Sequence, residues 1–430
     1  MTPREYLELE IENIECVLND TLRRDHGPNR SQEFYEECRR RLELIKSQFN
    51  SSVELDEGQR RLIHSTLRVV GWQIGLIERS YLGEFSWSFA EEFREMAKSL
   101  LAEKDFMGDE ISPIISIIAG AEPSYKVYEF EKFCSTVAKS RLVIAEFPRS
   151  LKHHVLFHAV LGHELCHSIL EFGENGKALQ SKAVSALMRE GPLSSIGDFD
   201  RWIASVNQSK SGEQQSERKR ASWLRELICD LFGILLFGPS FLAAFKACIR
   251  PLTINVYLTD TDHPPFATRY AMLVKALRIS GWSQPVTAPA TTIHAMECEM
   301  LEYISAPSYD SNFDILSDSQ IEAATLEIKN VLESSVRGRF VSPSADRLDE
   351  LVSSISRAIP PVGAAVDEGG AIRHWRIEMP QILYGGWIAW LGRAKRHPEP
   401  SFDFLTINKL CEHAIMQQRE VNRILDNGPI

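Results

Sequence analysis

The stretch "FHAVLGHELCHSIL", residues 157–170, carries His163 and His167 four positions apart, with Glu164 directly after the first. Its apolar residues recur at helical spacing. They predict a helix with Ser150 as N-cap that runs to about Phe172 and stops at Gly173. On a helix, positions i and i+4 share a face one turn apart. Two imidazole nitrogens on that face can reach one zinc ion at about 2.0–2.1 Å. Glu164 is one step round the helix. It is off the ligand direction but suited to hydrogen-bond a water on the metal and act as general base.

A catalytic zinc takes three protein ligands and keeps one open position. The segment "SWLRELICDLFG" (222–233) offers Glu226 and Asp230, again four apart, on a helix that is apolar almost all round. Such a helix is buried, and buried carboxylates are costly unless they are paired or bound to a metal. Glu226 is therefore the expected third ligand. Asp230, one turn on, is expected to accept the free N–H of a ligating imidazole and fix its tautomer. In "DTDHPPFATRYAML" (260–273), two prolines stiffen a loop at a helix start. His263 there is expected to donate to a developing oxyanion, and Arg269 to pair with Asp230. Cys166 and Cys229 read as small residues of a crowded core. Cys166 is about 100° round the helix from His167 and should not reach the same ion. The pair His294 and Cys298 in "HAMECEM" reads as part of an ordinary helix.

Outward from these motifs, residues 1–105 form an N-terminal helical region of four amphipathic helices, 106–284 a core that holds the motifs, and 285–430 a C-terminal helical region. Strands are expected at 125–133 and 140–147, giving a mainly α chain with a small β-sheet. An exposed edge strand there could receive an extended peptide. The stretch 207–220 is poor in apolar residues and reads as mobile.

The 430-residue chain has a net charge of −11, which argues against binding nucleic acid or docking on anionic membrane by charge. The apolar run at 227–249 is interrupted by Asp230, Pro239 and Lys246, so no membrane span is expected. The acidic N-terminus has no signal-peptide pattern, and the eight cysteines form no CxxC pair. A cytoplasmic location is the expectation.

The order HELCH, then "ELICDLFG", then "HPPFATR" resembles the gluzincin metallopeptidases typified by the CAAX prenyl protease and the HtpX heat-shock protease. The resemblance covers roughly residues 125–280. Glu226, Asp230 and Gly233 match that family's second motif, and His263, Pro264 and Arg269 its third. Cys229 stands where the family usually has alanine. The resemblance implies a zincin-like metallopeptidase core flanked by helical regions. One Zn²⁺ would be held by His163, His167 and Glu226, with Glu164 as base and His263 assisting the oxyanion. Asp230 and Arg269 would brace the site. The implied activity is a zinc endopeptidase acting on protein or peptide substrates. Many members of that family are integral membrane proteins, but with no span expected this chain reads as a soluble one. A regulated stress or defence protease is a separate expectation. The flanking helices are available to a regulatory protein partner. The competing expectation is a catalytically silent, zinc-stabilised helical interaction protein.

Overall fold

Apolar residues in the first three helices recur at steps of three and four, and this spacing builds a bundle. The helices are α1 (Pro3–Leu22), α2 (Ser31–Ser51) and α3 (Glu57–Tyr81). Leu7, Ile11 and Leu18 of α1 meet Tyr35, Cys38, Leu42, Ile45 and Phe49 of α2 and Ile63, Leu67, Val70 and Ile74 of α3. Each large apolar side chain buried there contributes about 1.5–3 kcal/mol. A fourth helix, α4 (Trp87–Leu101), follows. It carries the buried Glu91–Arg94 ion pair, and Arg94 Nε donates to the Ile115 carbonyl at 3.1 Å.

These features come from a computed structural model. It describes the chain except residues 1–2, 23–30, 52–54, 82–85, 105–109, 112, 121–123, 130–141, 172, 188–212, 253–254, 258–262, 283–292, 306–316, 336–344, 367–371, 393–402 and 428–430. Side-chain surroundings are also undescribed at some helical positions, residues 213–220 among them. Two packing units divide the chain, Met1–Lys152 and His153–Ile430.

The first unit ends in strands: a short pair, β1 (Glu103–Lys104) with β2 (Glu110–Ile111), then β3 (Ile114–Gly120), β4 (Lys126–Glu129) and β5 (Leu142–Pro148). The three-stranded sheet has the order β3-β5-β4, with β3 parallel and β4 antiparallel to the central β5. Ile118 of β3 and Ile144 of β5 join the core of the bundle. The strand expected at 125–133 is realised over Lys126–Glu129, and residues 130–133 lie outside the described residues. The parallel strand β3 has no counterpart in the sequence reading. "IISIIAG" is a short apolar run without a period, and only its pairing with a distant strand makes it a strand.

The second unit is helical. Its helices are α5 (Leu161–Glu171), α6 (Gly173–Leu187), α7 (Glu213–Phe237), α8 (Pro239–Ile249), α9 (Phe266–Ser280), α10 (Ile293–Ser305), α11 (Asp318–Ser335), α12 (Ala345–Ser356), α13 (Met379–Gly392) and α14 (Phe404–Asn427). Two short strands, β6 (Ala364–Val366) and β7 (Ile372–His374), pair antiparallel between α12 and α13. All three HELCH-related motifs fall in this unit, whereas the three-stranded sheet belongs to the first.

The HELCH helix is shorter than its sequence suggests. It starts at Leu161, not near Ser150; Arg149–Leu151 and Val155–Val160 are 3₁₀ turns. The cause is tertiary. The Leu156 N–H donates to Asn408 Oδ1 at 2.9 Å, and the Trp387 indole donates to the Leu156 carbonyl at 3.2 Å. Side chains of α14 and α13 thus take the backbone groups that an α-helix would satisfy internally. Phe157, Trp387 and Phe404 interlock around the same turn.

Part of the stretch 207–220 is helical. Residues 213–220 open α7, while 207–212 lie outside the described residues. "EQQSERKR" is made largely of good helix formers, and a low apolar content removes the burial signal without lowering that propensity.

The crossing of α5 and α7 sets the site. A Cβ on Gly162 would lie 2.8 Å from the Phe237 ring and 3.4 Å from the Gly233 Cα, so these two glycines let the helices approach closely. Helix α7 ends at Gly238, whose φ of 56° and whose closeness to Trp282 exclude a side chain, and Pro239 opens α8. Among the described residues, no helix is long and apolar enough to cross a membrane.

Candidate metal centre

Helix α5 projects His163 and His167 to one side, with Nε2 atoms 3.1 Å apart. Glu226 of α7 faces both: its Oε2 lies 3.2 Å from His163 Nε2 and its Oε1 3.2 Å from His167 Nε2. One ligand atom from each of the three lies within 4.8 Å of the others. Two ligands of a tetrahedral ion held at about 2.0–2.1 Å are about 3.3–3.4 Å apart. The observed separations come close to that spacing. The donor set of two imidazoles and a carboxylate suits zinc, although other divalent metals accept it as well.

A brace stands behind the triangle. Asp230, fully buried, lies with Oδ1 2.9 Å from His163 Nδ1, a contact that is off-line for a hydrogen bond but close enough to orient the ring. Arg269 of α9 grips Asp230 through two parallel bonds, Nε to Oδ2 and Nη2 to Oδ1, both 2.7 Å. The same guanidinium lies 3.4 Å from Glu226 Oε2 and 4.8 Å from the Phe245 ring centroid. Pro265 serves as N-cap of α9, and the His263–Pro265 lead-in holds His263 Nε2 3.6 Å from Glu226 Oε2. The His263 side chain is 45% exposed, so this edge of the site faces solvent.

The electrostatics follow from burial and from the charges that burial brings together. Burial alone would raise the Glu226 carboxyl, yet His163, His167 and Arg269 hold it well below the usual carboxylate range. Asp230 is likewise pushed up by burial but held low by Arg269 and His163. Burial opposes charge on His163, and Glu226 and Asp230 more than offset it, so its imidazole is raised well above normal. An ion binding there must displace that proton, which makes uptake weaker in acid. Glu164 is half-buried and its carboxyl is raised by burial, with His163 and His167 pulling it partly back. Three carboxylates, Glu164, Glu226 and Asp230, thus gather near the Arg269 guanidinium. A divalent ion with neutral imidazoles would balance the set.

The residues expected to bind, catalyse or brace, His163, Glu164, His167, Glu226, Asp230, His263 and Arg269, belong to this one neighbourhood. Contacts that the sequence reading did not assign complete it. Phe241 stacks on the His163 ring at 6.5 Å with planes 9° apart. Arg225 donates to the His167 carbonyl at 3.1 Å and to Glu171 at 2.8 Å, tying the end of α5 to α7. Cys229, read as a core filler, has its sulfur 3.5 Å from His167 Nδ1. Its spacing of three from Glu226 was the available signal, because i and i+3 share a helix face. Cys166 is outside the ligand group, and His294 and Cys298 form an exposed 3.7 Å contact. No family model, curated protein or solved structure matches this chain.

Proposed function

We propose that this chain is a zinc-dependent peptidase that hydrolyses peptide bonds at the His163–His167–Glu226 cluster. The reading rests on one observation: side chains 163, 167 and 226, from two helices, converge with their ligand atoms at 3.1–3.2 Å. The motif order that resembles gluzincins supports the same assignment. When bound, zinc supplies Lewis acidity and lowers the pKa of its water to about 7.

The remaining work falls to the chain's own side chains. Glu164, adjacent to His163 on α5, takes the proton of the attacking water and returns it to the departing amine nitrogen. His263, on the solvent-facing edge, donates a hydrogen bond to the carbonyl oxygen as negative charge develops there. Asp230 holds the His163 ring, and Arg269 holds Asp230. Neither needs to touch substrate.

The test is Glu164→Gln. Stoichiometric zinc should be retained and hydrolysis of casein or a fluorogenic peptide lost, while chelation of the wild type should abolish the same activity. Cleavage by the variant at the wild-type rate would remove Glu164 from the base role. A wild type that binds zinc but cleaves nothing would favour a zinc-stabilised interaction protein.

A further inference from the structure

The two imidazoles of the cluster have different partners on their outer nitrogens. His163 Nδ1 faces the Asp230 carboxylate at 2.9 Å, whereas His167 Nδ1 faces the Cys229 thiol at 3.5 Å. We propose that Cys229 is a positioning residue for His167, its sulfur accepting the Nδ1–H and holding the ring with Nε2 directed at the ion. The inference deepens the peptidase proposal and rests on its metal-binding part.

The argument runs through the proton count of an imidazole. His167 Nε2 is the nitrogen turned to the cluster, 3.1 Å from His163 Nε2 and 3.2 Å from Glu226 Oε1. A neutral imidazole whose Nε2 binds a metal carries its single proton on Nδ1. That N–H points into the packing between α5 and α7, where a donor without an acceptor costs about 1–3 kcal/mol. The sulfur of Cys229 is the acceptor found there, and Cys229 is fully buried. Cys229 and Cys166 of α5 are both fully buried, and a thiol sulfur carries lone pairs that can accept the Nδ1–H. The site is thus asymmetric, with one imidazole oriented by a charged carboxylate and the other by a neutral thiol.

The experiment compares full-length wild type, Cys229→Val, Cys229→Ala and Cys229→Ser, each titrated with Zn²⁺ against a chromogenic chelator. Loss of a partner behind a ligand typically weakens metal binding about 10–100-fold. Valine and alanine, which cannot accept, should show that loss. Serine, whose hydroxyl accepts the same proton, should bind close to wild type. Equal affinity of the valine and wild-type proteins would overturn the role, as would a serine variant no better than valine. Nitrogen-15 NMR of zinc-loaded wild type gives a check that needs no variant: the His167 Nδ1 should be protonated, and an unprotonated Nδ1 overturns the proposal. A wild type that takes up no zinc brings down the metal reading and this inference together. Wild-type binding with no effect of valine removes only the part played by Cys229.

Discussion

Arg269→Met tests whether the brace behind the metal cluster carries the energy that its geometry implies. The substitution keeps a long apolar stem against the Phe245 ring and removes the guanidinium. Asp230, fully buried, then loses two 2.7 Å charge-assisted bonds, and Glu226 loses a cation 3.4 Å away. Breaking a buried ion pair by deleting one partner costs about 3–5 kcal/mol, because the remaining charge is left in a poorly solvated place. For a domain of this size class, 1 kcal/mol corresponds to roughly 2–4 °C in Tm, so the fall should be about 6–20 °C. The melt is best recorded on chelator-treated protein, so that a change in zinc affinity does not enter the shift. A companion Asp230→Asn and the double variant complete a cycle. The double variant should be more stable than the sum of the singles implies, since asparagine removes the stranded charge. A loss below about 1 kcal/mol, or singles that add to within about 0.3–0.5 kcal/mol, would refute the brace.

Three further expectations follow from other contacts. Glu226→Ala should abolish stoichiometric zinc binding by equilibrium dialysis, and full occupancy in that variant would move the third ligand elsewhere. Gly162→Val would drive a side chain against the Phe237 ring, only 2.8 Å from where a Cβ would stand, and should destabilise the protein by about 1–3 kcal/mol and loosen zinc binding in the same titration. Unchanged stability and affinity would mean that the α5–α7 crossing is not tight. Asn408→Leu leaves the buried Leu156 N–H without its acceptor and should cost about 1–3 kcal/mol in chemical denaturation, with faster hydrogen exchange at residues 155–160. Unaltered exchange there would show that α14 does not hold the lead-in to the HELCH helix.

Local periodicity made most helices legible. The N-terminal helices, the HELCH helix, α11, α12 and α14 follow apolar residues at steps of three and four, a pattern that the backbone imposes on a helix with one buried face, while the motif segment of α7 and α13 are apolar almost all round, as fully buried helices are. The candidate ligands were legible for the same reason: the pairs 163/167 and 226/230 lie one turn apart whatever surrounds them. Strand β3 was not legible, because a parallel partner 28 residues away decides it. Nor was the true start of α5, which Asn408 and Trp387 fix from more than 200 residues further along the chain.

What the sequence determined by itself is which side chains share a helix face, and so which residues are eligible to act together. That follows from covalent geometry and hydrogen bonding within a few turns. Only the tertiary structure decided that Glu226 closes the triangle with His163 and His167, that Arg269 reaches Asp230 from a third helix, and that the outer nitrogen of His167 meets a thiol. Those distances depend on how closely α5 and α7 cross at Gly162 and Gly233. That approach is set by packing between segments far apart in sequence, which no local pattern encodes.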